Sequence, residues 1–544
     1  MVACALAVPA AAQTSHRRAP SRAKPELYSA HQKEFYLTEE EKSYARPGLT
    51  TTVVDIDIPS DRHPVVEVTF VDDMGLPLDR HGRLTPGEIS ASFVLAWYDG
   101  ETRNYTAYTT RVQTSPITGW SAEQASTDRG GTWLDLATGR ARYTFATELP
   151  AGFDMSKTHT LYVYSTRETE DILGKDYESD STYDFRPDGG TVTEQWAAFD
   201  EATCNTCHDP LAMHGGHRQK VKGCVTCHNP QSWDPDTGNT VDMKVMIHKI
   251  HHGANLPSVQ DGIPYQIIGY RQSVHDYSHV LMPQDIRNCW TCHPTSAPEG
   301  HIWYSRPARA TCGSCHDGID WETGEGHAGG IAQETDELCS RCHIPQGERE
   351  YDRSVMGAHT IDTKSMQLAG LNMEILDVTG AGPGLMPTIT FKVTNDDGSA
   401  VDITTLDRMR FRWGGPTTEY TDDFQEDAFD AVMSGDVYMK TLSTALPADA
   451  TGTWAFSADV YRFVTIEDGT AEGREVREAA FNPIWYAAVT DGEAEPRREV
   501  VTLDKCNRCH DVLALHGGQR FRIEECLICH RPDMTDEDDR PDEE

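Results

Sequence analysis

The chain has 544 residues, enough for about three to five domains at ~100 to 200 residues each. Hydrophobic residues make up 38% and charged residues 25%, with 43 Gly and 29 Pro, which excludes a membrane bundle and predicts a soluble, turn-rich chain. Against 48 Lys and Arg stand 86 acids, a net charge of -38 that repels phosphate backbones and excludes nucleic acid as an expected partner.

Residues 1–13 (MVACALAVPAAAQ) are small and apolar and read as the remnant of a secretory signal whose basic leading region is missing, so the chain is expected to be exported. Cys4 stands in a context that also resembles a lipidation site, but a cysteine inside a cleaved signal is the plainer reading. Residues 14–50 read as an N-terminal linker. From 51 to 190, apolar and polar positions alternate between turn residues, as in Val65, Val66, Val68 and Phe70 before Asp72-Asp73-Met74-Gly75, which predicts a β domain. Residues 191–360 hold five CxxCH units. Residues 361–498 repeat the β pattern: Pro387 to Gly398 has the separation of Pro64 to Gly75, and Leu446-Pro447-Ala448 answers Leu149-Pro150-Ala151. Residues 499–544 then begin a second cysteine-bearing segment with two units. CNTCHDPLAMHGGHR (204–218) and CNRCHDVLALHGGQR (506–520) agree at 11 of 15 positions, so the chain is a duplicated β-plus-cysteine module.

Of the 15 cysteines, 14 lie in seven CxxCH units: Cys204/Cys207/His208, Cys224/Cys227/His228, Cys289/Cys292/His293, Cys312/Cys315/His316, Cys339/Cys342/His343, Cys506/Cys509/His510 and Cys526/Cys529/His530. Two thiols so spaced can form thioethers with the vinyl groups of a haem, and the adjacent histidine then becomes the proximal iron ligand. Zinc ribbons, redox dithiols and disulfides also use paired cysteines, yet none needs a histidine after every second one. Seven haem c groups are therefore expected. Histidine occupies only 23 of 544 positions, and eleven of those not in a CxxCH unit lie beyond the first motif. That supply favours bis-histidine ligation over methionine, for which Met213, Met246, Met282 and Met356 are the alternatives.

The distal candidates are His214, His248, His251, His327, His359 and His516. His214 recurs as His516 in the repeated HGG, whereas His217 becomes Gln519 and reads as a surface or propionate-contacting residue. In VDMKVMIHKIHHG, Met243, Met246, Ile247 and Ile250 recur at helical spacing before Gly253, which predicts a helix whose His248 and His251 project from one side and serve two neighbouring irons. His252 is the alternative to His251. His275, His279 and His301 are reserves, and the N-terminal histidines at 16, 31, 63, 81 and 159 are read as leader or β-domain residues. Asp234, Asp236 and Asn239 do not match an EF-hand loop and read as a turn. The tail from Arg531 to Glu544 holds eight acids and reads as a solvated charge run. Neither a phosphate-binding glycine loop nor a hydrolase nucleophile elbow is apparent.

CNTCHDPLAMHGGHR, CVTCHNP, VDMKVMIHKIHHG, PQDIRNCWTCH and LALHGGQR, in a β, haem, β, haem order, resemble the OmcA/MtrC family of outer-membrane decahaem cytochromes. The resemblance implies two split-barrel antiparallel β domains alternating with haem-packed, short-helix multihaem domains. It also implies an electron donor in a porin–cytochrome complex or a periplasmic cytochrome. Extracellular metal oxides, flavins or other acceptors would receive the electrons at the outer-membrane surface, with the periplasm as the alternative location. This chain departs from the family pattern in holding seven motifs instead of ten, and ends where the first copy runs toward its two-histidine helix. An incomplete second pentahaem domain is therefore expected, to be checked by reading the coding sequence downstream. The expected function is an electron conduit, with metal reduction at its surface rather than conventional enzyme chemistry. The rival readings are a reductase of a small oxyanion at one open iron and a mineral-adhesion protein.

Overall fold

The computed structural model describes residues 27–532, 534 and 535. The signal remnant with Cys4, His16, the first part of the linker and most of the acidic tail lie outside the described residues. Ten strands cover the first β region: β1 Thr50–Asp57, β2 Val65–Val71, β3 Ile89–Asp99, β4 Asn104–Ala107, β5 Thr110–Thr114, β6 Ser121–Ala125, β7 Thr132–Ala137, β8 Arg140–Thr144, β9 Thr158–Arg167 and β10 Tyr177–Phe185. They form sheets in the orders β1-β2-β8-β7 and β10-β9-β3-β4, with β5-β6 as a separate ribbon. A short ribbon, β11 Gln266–Ile268 with β12 Val274–Asp276, lies in the cysteine-bearing segment that follows.

The second β region runs through β13 Asn372–Thr379, β14 Thr388–Thr394, β15 Arg408–Gly415, β16 Asp422–Asp427, β17 Val432–Ser434, β18 Val437–Thr441, β19 Thr453–Ile466, β20 Arg474–Ala479 and β21 Ile484–Ala488. Its sheets, β13-β14-β18-β17 and β16-β15-β19-β20 with β21 beside β19, repeat the first plan. The duplication extends to a shared irregularity: register shifts between Val53 and Asp55 in β1 and between Ile375 and Asp377 in β13. An extra residue there bends each strand in the same place.

Burial explains which faces matter. β2 and β14 alternate between buried and half-buried residues, as strands do when one face lies on a core. Those cores hold Phe70, Phe93 and Leu161 in the first region and Phe391, Phe411 and Trp413 in the second. β9 and β19, by contrast, are buried along long continuous stretches, which requires cover on both faces. The second face is covered by the cysteine-bearing helices. Val225 of the helix Val221–Cys227, with Met243, packs on Ala96, Tyr98, Tyr105 and Ala107. Ile528 of the helix Ile523–Cys529 packs on Tyr420 and Ala455. Each β region is thus a platform that docks the second CxxCH unit of its module. Replacing the fully buried Ile528 with alanine is expected to destabilise this docking by about 2 to 4 kcal/mol. Thermal unfolding of the holoprotein with and without the change checks this; an unaltered transition would show that the platform does not hold the helix.

Part of the predicted linker is structured. Thr38 caps the helix Glu39–Ala45 through a reciprocal box with Glu41, satisfying amides that the first turn leaves open. Ala45 and Leu49 are buried. The fully buried Arg167 of β9 donates to the carbonyls of Ala45, Arg46, Gly48 and Pro86, so a buried charge finds its acceptors in the segment read as a linker. Polar, unpatterned residues carry no local sign of that anchor.

Candidate haem sites

Each CxxCH unit closes on itself. The amide of the histidine donates to the carbonyl of the first cysteine at 3.0 Å in His208, 2.7 Å in His228, 2.9 Å in His293, His316 and His343, and 2.8 Å in His530. This is one helical turn, which brings positions i, i+3 and i+4 to one side. Two thiols and an imidazole therefore face the same space, as one porphyrin needs. His510 ends the helix Leu503–His510, which carries Cys506 and Cys509, in the same way.

The imidazoles meet in pairs. Ring centres are 6.4 Å apart for His208 and His251, 5.9 Å for His214 and His228, 6.4 Å for His248 and His293, 6.3 Å for His316 and His359, 6.2 Å for His327 and His343, and 6.0 Å for His516 and His530. An iron bonded to both rings sets a similar spacing: about 2 Å for each metal–nitrogen bond and about 1 Å from nitrogen to ring centre, taken twice, give about 6 Å. The gap is too wide for a direct hydrogen bond and suits a metal carried between two rings. No cluster of three or more His, Cys, Asp or Glu able to enclose a bare metal ion occurs among the described residues.

Orientation comes from the backbone. Nδ1–H donates to a carbonyl in His228 (Val241, 2.9 Å), His248 (Lys244, 2.5 Å), His251 (Ile247, 2.9 Å), His327 (Ile331, 2.8 Å), His343 (Arg353, 3.1 Å), His359 (Val355, 2.7 Å) and His510 (Pro283, 2.9 Å). Such a bond fixes the tautomer and leaves the Nε2 lone pair free for a metal. In the helix Met243–His252 the acceptor is the carbonyl four residues back, so the helix itself aims His248 and His251 at different units. His214 and His516 are aimed by strain: φ is 55° and 53°, and each is followed by two glycines also at positive φ. The left-handed region favours glycine and tolerates histidine better than bulkier residues, which explains why HGG recurs at both sites.

Burial sets the protonation states. Desolvation, with Arg218 nearby, lowers His214 to about 4, and desolvation with His248 lowers His293 to about 4. His228, His248 and His251 are pushed down chiefly by burial. Neutral rings are what a metal requires. The same burial pushes the Cys204 thiol to about 11 and those of Cys224 and Cys289 to about 12, opposite to the lowered values of reactive dithiols. These thiols suit a thioether better than thiol exchange.

Neighbouring units lie close enough for their thiols to feel one another's charge: Cys204 with Cys292 and with Cys224, Cys289 with Cys315, and Cys312 with Cys339. The two modules also meet here. Cys207 Sγ lies 3.6 Å from the Arg508 carbonyl, and Arg508 donates to the Asn205 carbonyl at 3.0 Å. The first unit of one module therefore abuts the first unit of the other.

The thiols of the units differ in exposure: Cys207, Cys292 and Cys342 are exposed and the other eleven are half-buried. Cys509 is half-buried, and its thiol also meets that of Cys207 from the other module; burial, followed by the charge and hydrogen bonding of Cys509, raises Cys207 to about 11. The packing of module on module is the reason, and Gln284, donating to the Cys509 carbonyl at 3.3 Å, ties the sixth unit to the first cysteine-bearing segment. Cys342 is exposed, because the short helix Cys339–Cys342 buries none of its residues. The spacing Cys339/Cys342/His343 still closes a turn, but protein does not enclose its second thiol.

Other predicted residues are placed elsewhere. His217 bonds Glu178 at 2.7 Å and Thr166 at 2.9 Å. His252, His275, His279 and His301 form no ring pair with a CxxCH imidazole among the described residues; the last three are exposed. Met246 packs in the apolar cluster with Val225, and Met213 is exposed. Asp234, Asp236 and Asn239 form a turn, with Asp234 accepting from the Asp236 amide at 2.9 Å. His159 is buried among Tyr108, Phe153 and Phe185. His510 meets no second imidazole among the described residues.

A cysteine pair and histidine on one turn, repeated through the chain and in six of the seven units facing a second histidine, is the arrangement by which c-type cytochromes hold haem. The sequence pattern described as outer membrane cytochrome MtrC/MtrF-like, domains II/IV, matches residues 197–359 and 498–544. Multiheme cytochrome MtrC of Shewanella baltica (strain OS185) is 25% identical over 292 residues, which is 51% of this chain and 38% of that protein. The aligned part thus spans well under two thirds of that relative. Two solved structures share the fold. The outer membrane decaheme cytochrome OmcA has a TM-score of 0.66 at 19% identity, covering 90% of this chain and 78% of that one. MtrC from Shewanella baltica OS185 has a TM-score of 0.60 at 20% identity, covering 90% and 81%. The two cysteine-bearing segments are thus similar to those of MtrC/MtrF-like outer membrane cytochromes, and the chain shares the fold of OmcA and MtrC.

Proposed function

We propose that this chain carries seven haem c groups as a conduit moving single electrons across the outer cell surface. The carrying observation is that six CxxCH imidazoles each face a second imidazole from outside the units. The fourteen cysteines of the units, Cys342 and Cys509 included, hold the porphyrins. His208, His228, His293, His316, His343, His510 and His530 are the proximal ligands, and His251, His214, His248, His359, His327 and His516 are the distal partners of all but His510. Haem supplies a one-electron iron couple. The chain's own contribution would be to orient the facing rings through their backbone hydrogen bonds and to shield the buried ones from water.

Contacts between the units support the order fifth, fourth, third, first, sixth, with the second branching at the first. The donor is a porin–cytochrome complex or periplasmic cytochrome, and the acceptor an extracellular metal oxide, flavin or similar oxidant. The β regions dock the haem segments and present surfaces to partners. A second reading, reduction of a small oxyanion, centres on the His510 unit.

Electron paramagnetic resonance of the haem-loaded protein tests both readings. Low-spin signals from every bis-histidine unit are expected. A stoichiometric high-spin haem that binds nitrite favours the reductase, and absence of haem absorbance removes both.

A further inference from the structure

The two cysteine-bearing segments meet along a seam of polar bonds. Arg508, inside the sixth CxxCH loop, donates from Nη2 to the Asn205 carbonyl of the first loop at 3.0 Å, and its own carbonyl lies 3.6 Å from Cys207 Sγ. Gln284 bridges two further loops. Its Oε1 accepts from Asn288 Nδ2 at 2.7 Å and from Thr291 Oγ1 at 2.9 Å, both at the third unit, while its Nε2 donates to the Cys509 carbonyl of the sixth at 3.3 Å. Lys364 reaches Asp511, the residue after His510, at 2.5 Å. No buried apolar cluster among the described residues contains members of both segments, so hydrogen bonds and an ion pair carry this contact.

The repeat separates what the loop needs for its own fold from what crosses the seam. Asn205 and Asn507 hold the two loops alike, each side-chain oxygen accepting from the amide six residues on, that of Leu211 at 2.7 Å and that of Leu513 at 2.8 Å. Where CNRCH has Arg508, CNTCH has Thr206, whose hydroxyl turns back to the Ala202 carbonyl of its own segment at 3.3 Å. The longer, charged side chain spans the seam, and a guanidinium on a carbonyl makes a charge-assisted bond.

We propose that Arg508 and Gln284 are positioning residues for electron transfer between the modules: they fix the sixth CxxCH loop against the first and third, and so set the gap that an electron crosses. The inference deepens the conduit reading and rests on 204–208 and 506–510 as haem units. Neither residue gives or takes an electron. Each acts through a backbone carbonyl within a cysteine-bearing turn, and that carbonyl moves with the thiols of the turn. Rates that depend on the approach of two groups respond steeply to displacements of an ångström. The segment carrying Gln284 is itself anchored, because Arg287 pairs with Asp285 at 2.7 Å and donates to the Thr360 carbonyl at 3.1 Å.

The test uses the full holoprotein. Gln284→Leu removes both halves of the bridge without altering charge, and Arg508→Thr installs the residue of the first module. Hydrogen exchange is expected to rise at 203–211 and 504–513 in each variant, and most in the double variant. After a flash from a photochemical reductant, freeze-quenched electron paramagnetic resonance should show electrons spreading between modules about tenfold more slowly, beyond what any measured change in midpoint potential accounts for. Arg508→Lys, which keeps a cationic donor, should retain most of the rate. Arg341→Thr, at the matching position of the fifth unit and exposed, should change neither readout. Unaltered exchange at both loops in the double variant overturns the clamp, with or without haem. Fully loaded variants that pass electrons at the wild-type rate overturn the positioning role alone. Absence of haem at 204–208 or 506–510 overturns the conduit reading and the positioning role together.

Discussion

Replacing His251 with methionine will raise the midpoint potential of one haem by on the order of 100 mV while leaving it low-spin. His251 faces His208 with ring centres 6.4 Å apart, so the change exchanges one imidazole for a thioether on the first unit. Methionine favours the ferrous state and is at ease in a helix, so the helix Met243–His252 should survive. The first unit adjoins the second, third and sixth. An electron held there more tightly therefore slows passage between modules by about tenfold for every 59 mV. Redox titration reads the shift, and stopped-flow oxidation reads the slowing. His252→Met, one residue along, is the control and should move no potential. If His252→Met shifts a haem and His251→Met does not, the pairing is wrong.

Trp413→Ala will cost about 3 to 5 kcal/mol of stability in the second β region. Trp413 is fully buried on β15 and stacks on Phe424 at 5.8 Å, which stacks on Trp454 at 6.2 Å. Truncation leaves a ring-sized cavity at the centre of that core. Its indole Nε1 is buried without a hydrogen-bond partner among the described residues, so Trp413→Phe should cost less than about 1.5 kcal/mol, volume being nearly kept and no hydrogen bond lost. The flanking Arg412 and Gly414 touch Cys529 and Ile528. The alanine variant should therefore disturb the seventh unit and spare the first five. Calorimetry gives the stability, and haem-resolved spectra give the selectivity. Equal losses for alanine and phenylalanine would show that packing at this ring is not the source.

Local chemistry was legible because its determinants are neighbours in the chain. CxxCH encodes a single turn, since i, i+3 and i+4 share a side whatever surrounds them. The 3.6-residue recurrence of Met243, Met246, Ile247 and Ile250 specified a helix before it had a place to pack. The repeated HGG singled out His214 and His516, whereas their left-handed backbone became visible only in the structure. Alternation marked β2 and β14, and the apolar stretches after residues 151 and 448 read as the strands that became β9 and β19, but their cover on both faces was not legible. Identical motifs also hid unequal surroundings: nothing in CxxCH distinguishes the exposed Cys342 from Cys509, which packs against the other module.

The amino-acid sequence alone determined that paired thiols and an imidazole would share each turn, that two β platforms would alternate with them, and that the whole would be strongly acidic. Only the tertiary structure decided that His208 meets His251, that His248 meets His293, and that Arg167 gathers the carbonyls of residues 45, 46, 48 and 86. Those partners come from segments tens of residues apart. No local periodicity records their meeting, because it is set by how helices and loops pack onto the sheets, where burial and hydrogen-bond satisfaction are resolved for the chain as a whole.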